Sequence, residues 1–217
     1  MQSVLKCFKK YHKASYFFWK TVFIIQFKAL QIINDDFECS IGGITGHGSY
    51  YTAGNDISNF LRFQDPDDAT PEPTDMLIDF VDAFINFEKP LIAGVNGPAI
   101  GIGVTTLALC DLVLASSNST FQCPFTKIGQ SPEGTSSYSM PAILGPSGSS
   151  ELLLRNNIFT VDEMVRLKLV GRIIDKTQFK DEFENTLIEY SNLPPESLRL
   201  SKELIRSNTL GTGWQEK

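Results

Sequence analysis

Histidine and closely spaced cysteines are scarce in this sequence, and their scarcity argues against two classes of site. The 217 residues include two histidines, His12 and His47. Two histidines give little support to a histidine-based zinc site or to a serine–histidine–aspartate triad. The four cysteines form no CxxC pair and no other spacing typical of metal ligands. The sequence therefore predicts no metal site.

Long hydrophobic runs and an excess of basic charge are also missing. The apolar stretch at residues 16–25 is interrupted by Lys20, so it falls short of the roughly 20 apolar residues that span a bilayer. The formal net charge of −6 gives no general attraction to nucleic acid or to an anionic membrane. An anionic ligand would need a local site, built from backbone N–H groups or from a few placed cations.

Carboxylates are absent from the first 34 residues, which contain six lysines. A basic start without acids is similar to a mitochondrial transit peptide, although this one has no arginine. The alternative is an ordinary helix, because Phe23, Phe27 and Leu30 follow one another at helical spacing. The last four residues differ from the Ser-Lys-Leu peroxisomal signal. These observations leave the compartment open.

Apolar segments of helix and strand length alternate along the rest of the chain. The stripe from Met76 to Ile85 predicts a helix that ends before Lys89-Pro90. The apolar run Leu91–Val95 predicts a buried strand. Other segments predict helices at 20–34 and 104–109, and strands at 40–45, 111–115, 120–123 and 171–174. This alternation predicts an α/β domain.

Two glycine-rich turns follow predicted strands, at Thr52–Asn55 and at Ala99–Gly103. Small residues at a strand end let backbone N–H groups approach a ligand closely. In the second turn these groups also precede a predicted helix, whose dipole favours developing negative charge. Two such turns side by side would form an oxyanion hole. Each turn alone is weak evidence for such a site, because glycine turns after strands are usually only tight turns.

A single carboxylate, Glu133, lies in a stretch from Gly129 to Gly148 that is otherwise rich in glycine, serine and proline. A Pro-Glu-Gly turn with an exposed carboxylate is common in proteins. The local sequence therefore leaves two interpretations, a surface turn or a placed acid–base group.

The order and spacing of these segments resemble the crotonase (enoyl-CoA hydratase/isomerase) superfamily. The matching segments are Tyr51–Ile57, Lys89–Gly103 and Cys110-Asp111. Gly129–Gly134, followed by Ser-Ser-Tyr, looks like the peroxisomal-type Δ3,Δ2-enoyl-CoA isomerases, and so does the later stretch Leu193–Glu203. The resemblance covers roughly residues 26–208, with an atypical basic segment at 1–25 and a tail at 209–217.

The resemblance implies a fold, a reaction and a set of site residues. The fold would be a crotonase-like spiral of ββα units with a helical C-terminal section. The reaction would be isomerisation of 3-enoyl-CoA to trans-2-enoyl-CoA in unsaturated fatty acid β-oxidation. Glu133 would be the catalytic acid–base group, and the backbone N–H groups of Ala53 and Ile102 would hold the thioester oxygen. The implied substrate-binding residues are Ala53, Gly54, Asn55, Asp56, Ile57 and Gly101.

The number of acid–base groups distinguishes two reactions of the superfamily. Moving a double bond needs a proton removed at C2 and one returned at C4, and one carboxylate between these carbons can do both. Burial would bring the pKa of that carboxylate closer to neutral pH. The hydratase pattern uses two glutamates, and the aligned positions hold Thr105 and Phe125. The resemblance therefore favours an isomerase over a hydratase.

Two other functions stay open at this point. The chain could be a non-catalytic crotonase-like module that binds acyl-CoA or a protein partner, as in family members fused to chromatin-binding domains. Thioester hydrolysis would need a second polar group facing the thioester.

Several single residues also have a structural interpretation. Asn55 and Asp56 could stabilise their own loop rather than take part in catalysis, and His47 is expected to be a turn residue. Lys202 is either a solvated lysine or a contact for a CoA phosphate.

The resemblance also sets expectations about assembly, cofactors and location. It implies a homotrimer or hexamer, CoA only as part of the substrate, no other cofactor, and a place in the peroxisome or mitochondrion. The N-terminus departs from the family, because the usual strand and Asn-Arg-Pro-like turn are not recognisable before residue 20. We therefore expect the N-terminal strands to be missing, which would expose an edge of the sheet.

Overall fold

The computed structural model describes the backbone of residues 3–9, 13–17, 22–54 and 73–209, and the side chains of 28–54 and 75–207. The strands are β1 Ser3–Lys9, β2 Lys13–Phe17, β3 Cys39–Gly46, β4 Leu91–Val95, β5 Ala99–Ile100, β6 Leu112–Ser116, β7 Thr120–Gln122, β8 Phe159–Thr160 and β9 Arg172–Ile174. The helices are α1 Val22–Asp35, α2 Pro73–Ile85, α3 Ile102–Thr105, α4 Ser136–Leu153, α5 Val161–Arg166, α6 Phe179–Ser191 and α7 Pro195–Thr209. Short 3₁₀ helices occur at Thr106–Leu109 and Thr126–Ile128.

The larger sheet has six strands in the order β2-β1-β3-β4-β6-β9. Strands β3, β4, β6 and β9 are parallel, and β1 and β2 form an antiparallel edge. Parallel neighbours need crossover connections, and α2 lies in the connection from β3 to β4. The predicted α/β class is confirmed.

The N-terminal strands are present, so the prediction that they are missing was wrong. Strand β1 pairs antiparallel with β2, from Val4 opposite Phe17 to Phe8 opposite Lys13. It also pairs with β3 over Ser3–Lys9. Three lysines, Lys6, Lys9 and Lys13, hid this hairpin in the sequence, because they interrupt the apolar pattern that is typical of a strand. The pairing with β3 also depends on residues far along the chain, which no local pattern reveals.

The central strands are buried on both faces of the larger sheet. On one face, α1 and α2 contribute large side chains that include Leu30, Ile33, Phe80 and Phe84. On the other face, Phe179, Phe183 and Leu187 of α6 pack against Ile92 and its neighbours. Alternate residues of β4 face opposite sides of the sheet, as the two-residue period of a strand requires. Leu91, Ala93 and Val95 pack with the side chains of the first face, and Ile92 packs with those of the second. The loops of the candidate site extend from the strands of this sheet.

Helix α4 was not predicted, because its sequence is rich in residues that disfavour helices. It contains Pro141 and Pro146, and it bends at Gly145, where φ is 75°. Proline is tolerated at the start of a helix, and Pro146 begins the second segment directly after this bend.

No helix in the described part of the chain is long and apolar enough to cross a membrane.

A smaller sheet consists of strands β5, β7 and β8, in that order. Strand β5 follows β4 after three residues and pairs in parallel with β7. On its other side, Ala99 forms a parallel bridge with Thr52. This bridge brings the two predicted glycine-rich turns to one place.

Candidate active site

The two glycine-rich turns lie in contact, as their proposed joint role requires. A Cβ atom on Gly101 would lie 3.8 Å from the Cα atom of Gly54. A Cβ atom on Gly54 would lie 3.3 Å from the carbonyl oxygen of Ile100. Both glycines have positive φ values, 86° for Gly54 and 62° for Gly101, which other residues rarely adopt. The two turns therefore need glycine for backbone conformation and Gly54 also for close approach.

Backbone hydrogen bonds set the relative position of the two turns. The N–H groups of Tyr51 and Thr52 both donate to the carbonyl oxygen of Pro98, at 3.0 and 3.3 Å. In return, the N–H group of Ile100 donates to the carbonyl oxygen of Thr52 at 3.1 Å. This ladder places Ala53, the residue after Thr52, beside the second turn.

Asn96 connects the loop before the first turn to the end of β4. Its side-chain oxygen accepts from the N–H group of Gly46 at 3.0 Å, and its amide nitrogen donates to the carbonyl oxygen of Gly48 at 2.9 Å. Gly97 lies against the backbone of Ser49, where any Cβ atom would overlap the Ser49 carbonyl oxygen. The Asn-Gly pair of the matching segment thus holds the loop that leads into the first turn.

A third turn brings Glu133 to the same place. Gly134 packs on α3, and a Cβ atom there would lie 2.6 Å from the Thr105 hydroxyl oxygen and 3.7 Å from the Ile102 side chain. The carbonyl oxygen of Glu133 accepts from the Ser136 hydroxyl at 2.7 Å and from the Ser136 N–H group at 3.3 Å. Ser136 is fully buried at the start of α4. The turn is therefore fixed on both sides of the glutamate.

The Glu133 carboxyl group is partly buried, and burial raises its pKa above the ordinary value of 4.5. In the described part of the chain, no side chain forms an ion pair with it. The group is close to the buried Cys123 thiol, whose pKa is raised by burial and further by the Glu133 charge. Cys123 Sγ lies 3.9 Å from the carbonyl oxygen of Gly101. Glu133 is therefore near the second glycine turn.

This arrangement suits proton transfer next to a developing oxyanion. A carboxylate with a raised pKa is a stronger base than an exposed one, and it can both accept and return a proton. Backbone N–H groups at the end of a strand can stabilise negative charge without reorganising. The structure brings Glu133, Gly54, Gly101 and Ile102 together, and Ala53 is the neighbour of Gly54. Asn55, Asp56 and Ile57 lie outside the described residues.

The two positions that would hold glutamates in a hydratase are both buried. Thr105 is fully buried, and its hydroxyl donates to the carbonyl oxygen of Ile102 at 3.1 Å. Phe125 is 3 % exposed and belongs to the same apolar cluster as Leu30 and Phe84. Neither side chain can act as a second acid or base.

His47 lies in an exposed turn after β3, as the sequence predicted.

Lys202 fits neither role predicted for it, because it is buried in an ion cluster that the sequence analysis missed. Its ammonium group lies 2.8 Å from Asp111 Oδ2 and donates to the carbonyl oxygen of Lys89 at 2.6 Å. Arg206 binds the other Asp111 oxygen at 3.1 Å and the carbonyl oxygen of Leu109 at 2.6 Å. Burial lowers the pKa of Lys202 to about 8. The cluster fastens α7 to the rest of the fold.

Asp111 was the available signal for this cluster. It belongs to a matching segment of the sequence, and lysine and arginine recur four residues apart at 202 and 206.

No group of three metal-binding side chains occurs within the described residues. The expectation of no cofactor stays a prediction.

Comparison with known proteins shows which family and which structures this chain is similar to. A family model described as enoyl-CoA hydratase/isomerase matches residues 26–213. The chain is 43 % identical over 165 residues to enoyl-CoA delta isomerase 3, peroxisomal, of Mus musculus, covering 76 % of this chain and 52 % of that protein. It is 38 % identical over 164 residues to the chromodomain Y-like protein of Homo sapiens, covering 74 % and 27 % of the two chains.

A crystal structure of an enoyl-CoA hydratase/isomerase from Pseudoalteromonas atlantica superposes with a TM-score of 0.79 at 32 % identity. The match covers 86 % of this chain and 72 % of that one. The predicted crotonase-like fold is therefore confirmed. The chain spans about half the length of the curated isomerases that it matches.

Proposed function

The chain belongs to the enoyl-CoA hydratase/isomerase family, and from that premise we infer that it isomerises 3-enoyl-CoA to trans-2-enoyl-CoA. Relatives at 42–44 % identity are named enoyl-CoA delta isomerases. The observation that carries the proposal is the position of Glu133, a partly buried carboxyl group with a raised pKa beside two contacting glycine turns.

Glu133 performs both proton transfers in this proposal. Its carboxylate removes a proton from C2 of the 3-enoyl thioester, and the electrons move onto the thioester oxygen. The resulting dienolate takes the proton back at C4, which leaves the double bond between C2 and C3. One carboxyl group suffices because it begins and ends the cycle in the same protonation state.

The backbone N–H groups of Ala53 and Ile102 hold the thioester oxygen while it carries negative charge. Removing one donor from such a site typically costs about 3–4 kcal/mol of transition-state stabilisation. The contact between Gly54 and Gly101 supports this pairing, because it brings the turns bearing Ala53 and Ile102 together. Gly54, Gly101 and residues 55–57 line the acyl-CoA channel in the same proposal.

The surroundings of Glu133 support isomerisation over hydration. A hydratase must also place and deprotonate a water molecule, and its family pattern uses a second glutamate for this. Thr105 and Phe125 occupy the corresponding positions, and both are buried. We therefore expect the purified chain to convert a 3-enoyl-CoA to the conjugated 2-enoyl-CoA. The ultraviolet absorbance of the conjugated product measures this conversion. A folded chain that binds acyl-CoA without turnover would contradict the proposal.

A second function is favoured by one observation, the similarity to the chromodomain Y-like protein at 38 % identity. In that alternative the chain is a module that binds acyl-CoA or a protein partner without catalysis. The presence of Glu133 near the second glycine turn, which contacts the first, supports the enzyme instead, because binding alone does not require an acid–base group. Thioester hydrolysis would need a second polar group that faces the thioester, and the proposal assigns that role to no described residue.

The pH dependence of kcat/KM is expected to report the raised pKa of Glu133. The reaction needs the ionised carboxylate, so kcat/KM falls as the pH drops through that pKa. Because burial raises the pKa above 4.5, the acid limb should lie above the titration range of an exposed glutamate. A pH–rate profile of the wild-type chain between pH 4 and 9 checks this. An acid limb at or below about pH 4.3 would contradict it.

The proposed reaction also implies a pathway, a location and a cofactor requirement. The product is a 2-enoyl-CoA, so we propose that the enzyme feeds unsaturated fatty acids into β-oxidation. A peroxisomal relative supports a peroxisomal location, with the mitochondrion as the other compartment that suits this pathway. CoA enters as part of the substrate, and the reaction needs no other cofactor because no net oxidation occurs.

Assembly into a homotrimer or hexamer is expected, and helix α7 supports it. The helix presents charged residues inward, Lys202 and Arg206, while Leu200 is 44 % exposed and Leu193 just before it is 46 % exposed. An amphipathic helix in this orientation needs another cover for its apolar side. Light scattering should give three or six times the 24.1 kDa chain mass, and Leu200→Glu should lower it. A monomeric wild type would refute the proposal.

A further inference from the structure

We propose that Thr52 is a positioning residue that sets the distance between the two N–H groups of the oxyanion hole. This inference rests on the proposed function, because it concerns the same two turns. Thr52 is 4 % exposed and lies directly before Ala53. Its side chain contacts both turns, one through the methyl group and the other through the hydroxyl oxygen.

The Thr52 methyl group fills the space beside Gly103 in helix α3. A Cβ atom added to Gly103 would overlap Thr52 Cγ2 and would lie 3.1 Å from Thr52 Cβ. Gly103 follows Ile102, whose N–H group is one of the proposed donors. The methyl group therefore acts as a spacer between the start of α3 and the first turn.

The Thr52 hydroxyl oxygen fixes the conformation of the first turn. It accepts a hydrogen bond from the N–H group of Gly54 at 3.2 Å. This bond closes a short loop around Ala53, and it directs the Gly54 N–H group toward Thr52. Together with the backbone bonds of Thr52 to Pro98 and Ile100, it leaves the Ala53 peptide little freedom to turn.

A spacer and a hydrogen bond on one side chain matter because oxyanion stabilisation depends strongly on geometry. The donors act only when both lie about 2.7–3.1 Å from the developing oxyanion. A displacement of about 1 Å at a catalytic site can lower the rate about 100-fold. Thr52 contacts no reacting atom in this account, so its effect must pass through the positions of Ala53 and Ile102.

The test is a pair of complementary substitutions at residues 52 and 103. Gly103→Ala places a methyl group where Thr52 Cγ2 lies, and it should lower kcat about 10- to 100-fold with little change in KM. Thr52→Ser keeps the hydroxyl and removes the methyl group. The double variant Thr52→Ser/Gly103→Ala should therefore recover at least about 5-fold in kcat over Gly103→Ala. Gly148→Ala, a helical substitution in α4, is the matched control and should keep wild-type kcat.

Thr52→Val tests the hydroxyl separately, because it keeps the side-chain shape and removes the acceptor. We expect kcat to fall about 5-fold, with thermal unfolding close to that of Thr52→Ser. A double variant no more active than Gly103→Ala, or a Gly103→Ala variant with wild-type kcat, would overturn the inference. A general loss of stability that tracks the loss of activity in all variants would also overturn it.

A structural measurement separates this inference from the proposed function. Crystal structures of the wild type and Gly103→Ala should differ by a shift of residues 52–54 away from α3, and the double variant should restore their position. If the wild type has no isomerase activity, the proposed function fails, but the comparison of the crystal structures still decides the role of Thr52. Residues 52–54 in an unchanged position in Gly103→Ala would then contradict the positioning role of Thr52.

Discussion

Replacing Glu133 with glutamine is expected to lower kcat for 3-enoyl-CoA isomerisation by about 10³- to 10⁴-fold. The loss should be near the upper end of what one acid–base group contributes, because the same carboxylate makes both proton transfers. Glutamine has nearly the same shape and keeps the Ser136 bond to the backbone of residue 133. KM should therefore change little, and steady-state kinetics with one 3-enoyl-CoA substrate measures both constants.

The Glu133→Gln variant should also be at least as stable as the wild type at neutral pH. Burial raises the pKa of Glu133 in the folded state, so the folded protein binds this proton more tightly than the unfolded chain does. The stabilisation from that proton is complete below the unfolded pKa and is lost as the pH rises through the folded pKa. Above the folded pKa, glutamine avoids the cost of burying a charge.

Glu189→Gln is the matched control, since Glu189 is an exposed residue of α6 and has no role in the proposed site. It should retain wild-type kcat. A Glu133→Gln variant that keeps more than about a tenth of wild-type kcat would show that another group moves the protons, because general acid–base catalysis by the lost carboxylate contributes about 10²-fold or more.

Replacing Asp111 with alanine is expected to lower the free energy of unfolding by about 3 kcal/mol. The change leaves the buried Lys202 ammonium without its counter-ion and removes the acceptor of the Leu91 N–H group, 2.7 Å away. Removing one partner of a buried ion pair typically costs about 3–5 kcal/mol. The lower value applies here, because the Asp111 side chain keeps 22 % of its surface exposed. Urea unfolding at pH 7 measures the difference.

An exposed ion pair of the same helix provides the comparison. Glu196→Ala breaks the contact of Glu196 with Arg199, which is 2.7 Å long on the surface of α7. Exposed pairs contribute little to stability because water screens them, so the urea midpoint should barely move. Equal midpoints for Asp111→Ala and the wild type would show that the cluster does not hold α7 in place.

Local sequence patterns predicted the central part of the fold well. The run Leu91–Val95 was predicted as a strand with the observed bounds, and the stripe from Met76 to Ile85 lies within α2. These patterns are strong because the central strands are buried on both faces and α2 on one. The hairpin β1–β2 gave no such signal, because lysines interrupt its apolar residues and β1 also pairs with β3, which lies far along the chain.

Helix α7 shows why an amphipathic pattern does not always identify the buried side. The sequence suggested that Lys202 is solvated, whereas the structure buries it against Asp111, 91 residues earlier in the chain. The leucine at 204 is 64 % exposed instead. Only the three-dimensional arrangement reveals a charged contact of this kind, because its partners come from separate segments.

The segments of the candidate site could be recognised in the sequence, but the contacts between them could not. The segments around Gly54, Gly101 and Glu133 were recognisable by order and spacing. Their approach depends on the Thr52–Ala99 bridge and on the packing of Gly134 against Thr105. These contacts join residues about 30–50 positions apart in the chain, so no local pattern contains them. The raised pKa of Glu133 follows from the same packing.

The most direct test of the central claim compares two reactions on one preparation of the wild-type chain. The first assay follows conversion of a 3-enoyl-CoA to its trans-2-enoyl-CoA isomer, and the second follows addition of water to the 2-enoyl-CoA. With Glu133 as the sole acid–base group, the account predicts clear isomerase turnover and hydratase turnover at least about 100-fold slower. Hydration as fast as isomerisation, or no isomerisation by a folded chain that binds acyl-CoA, would contradict it.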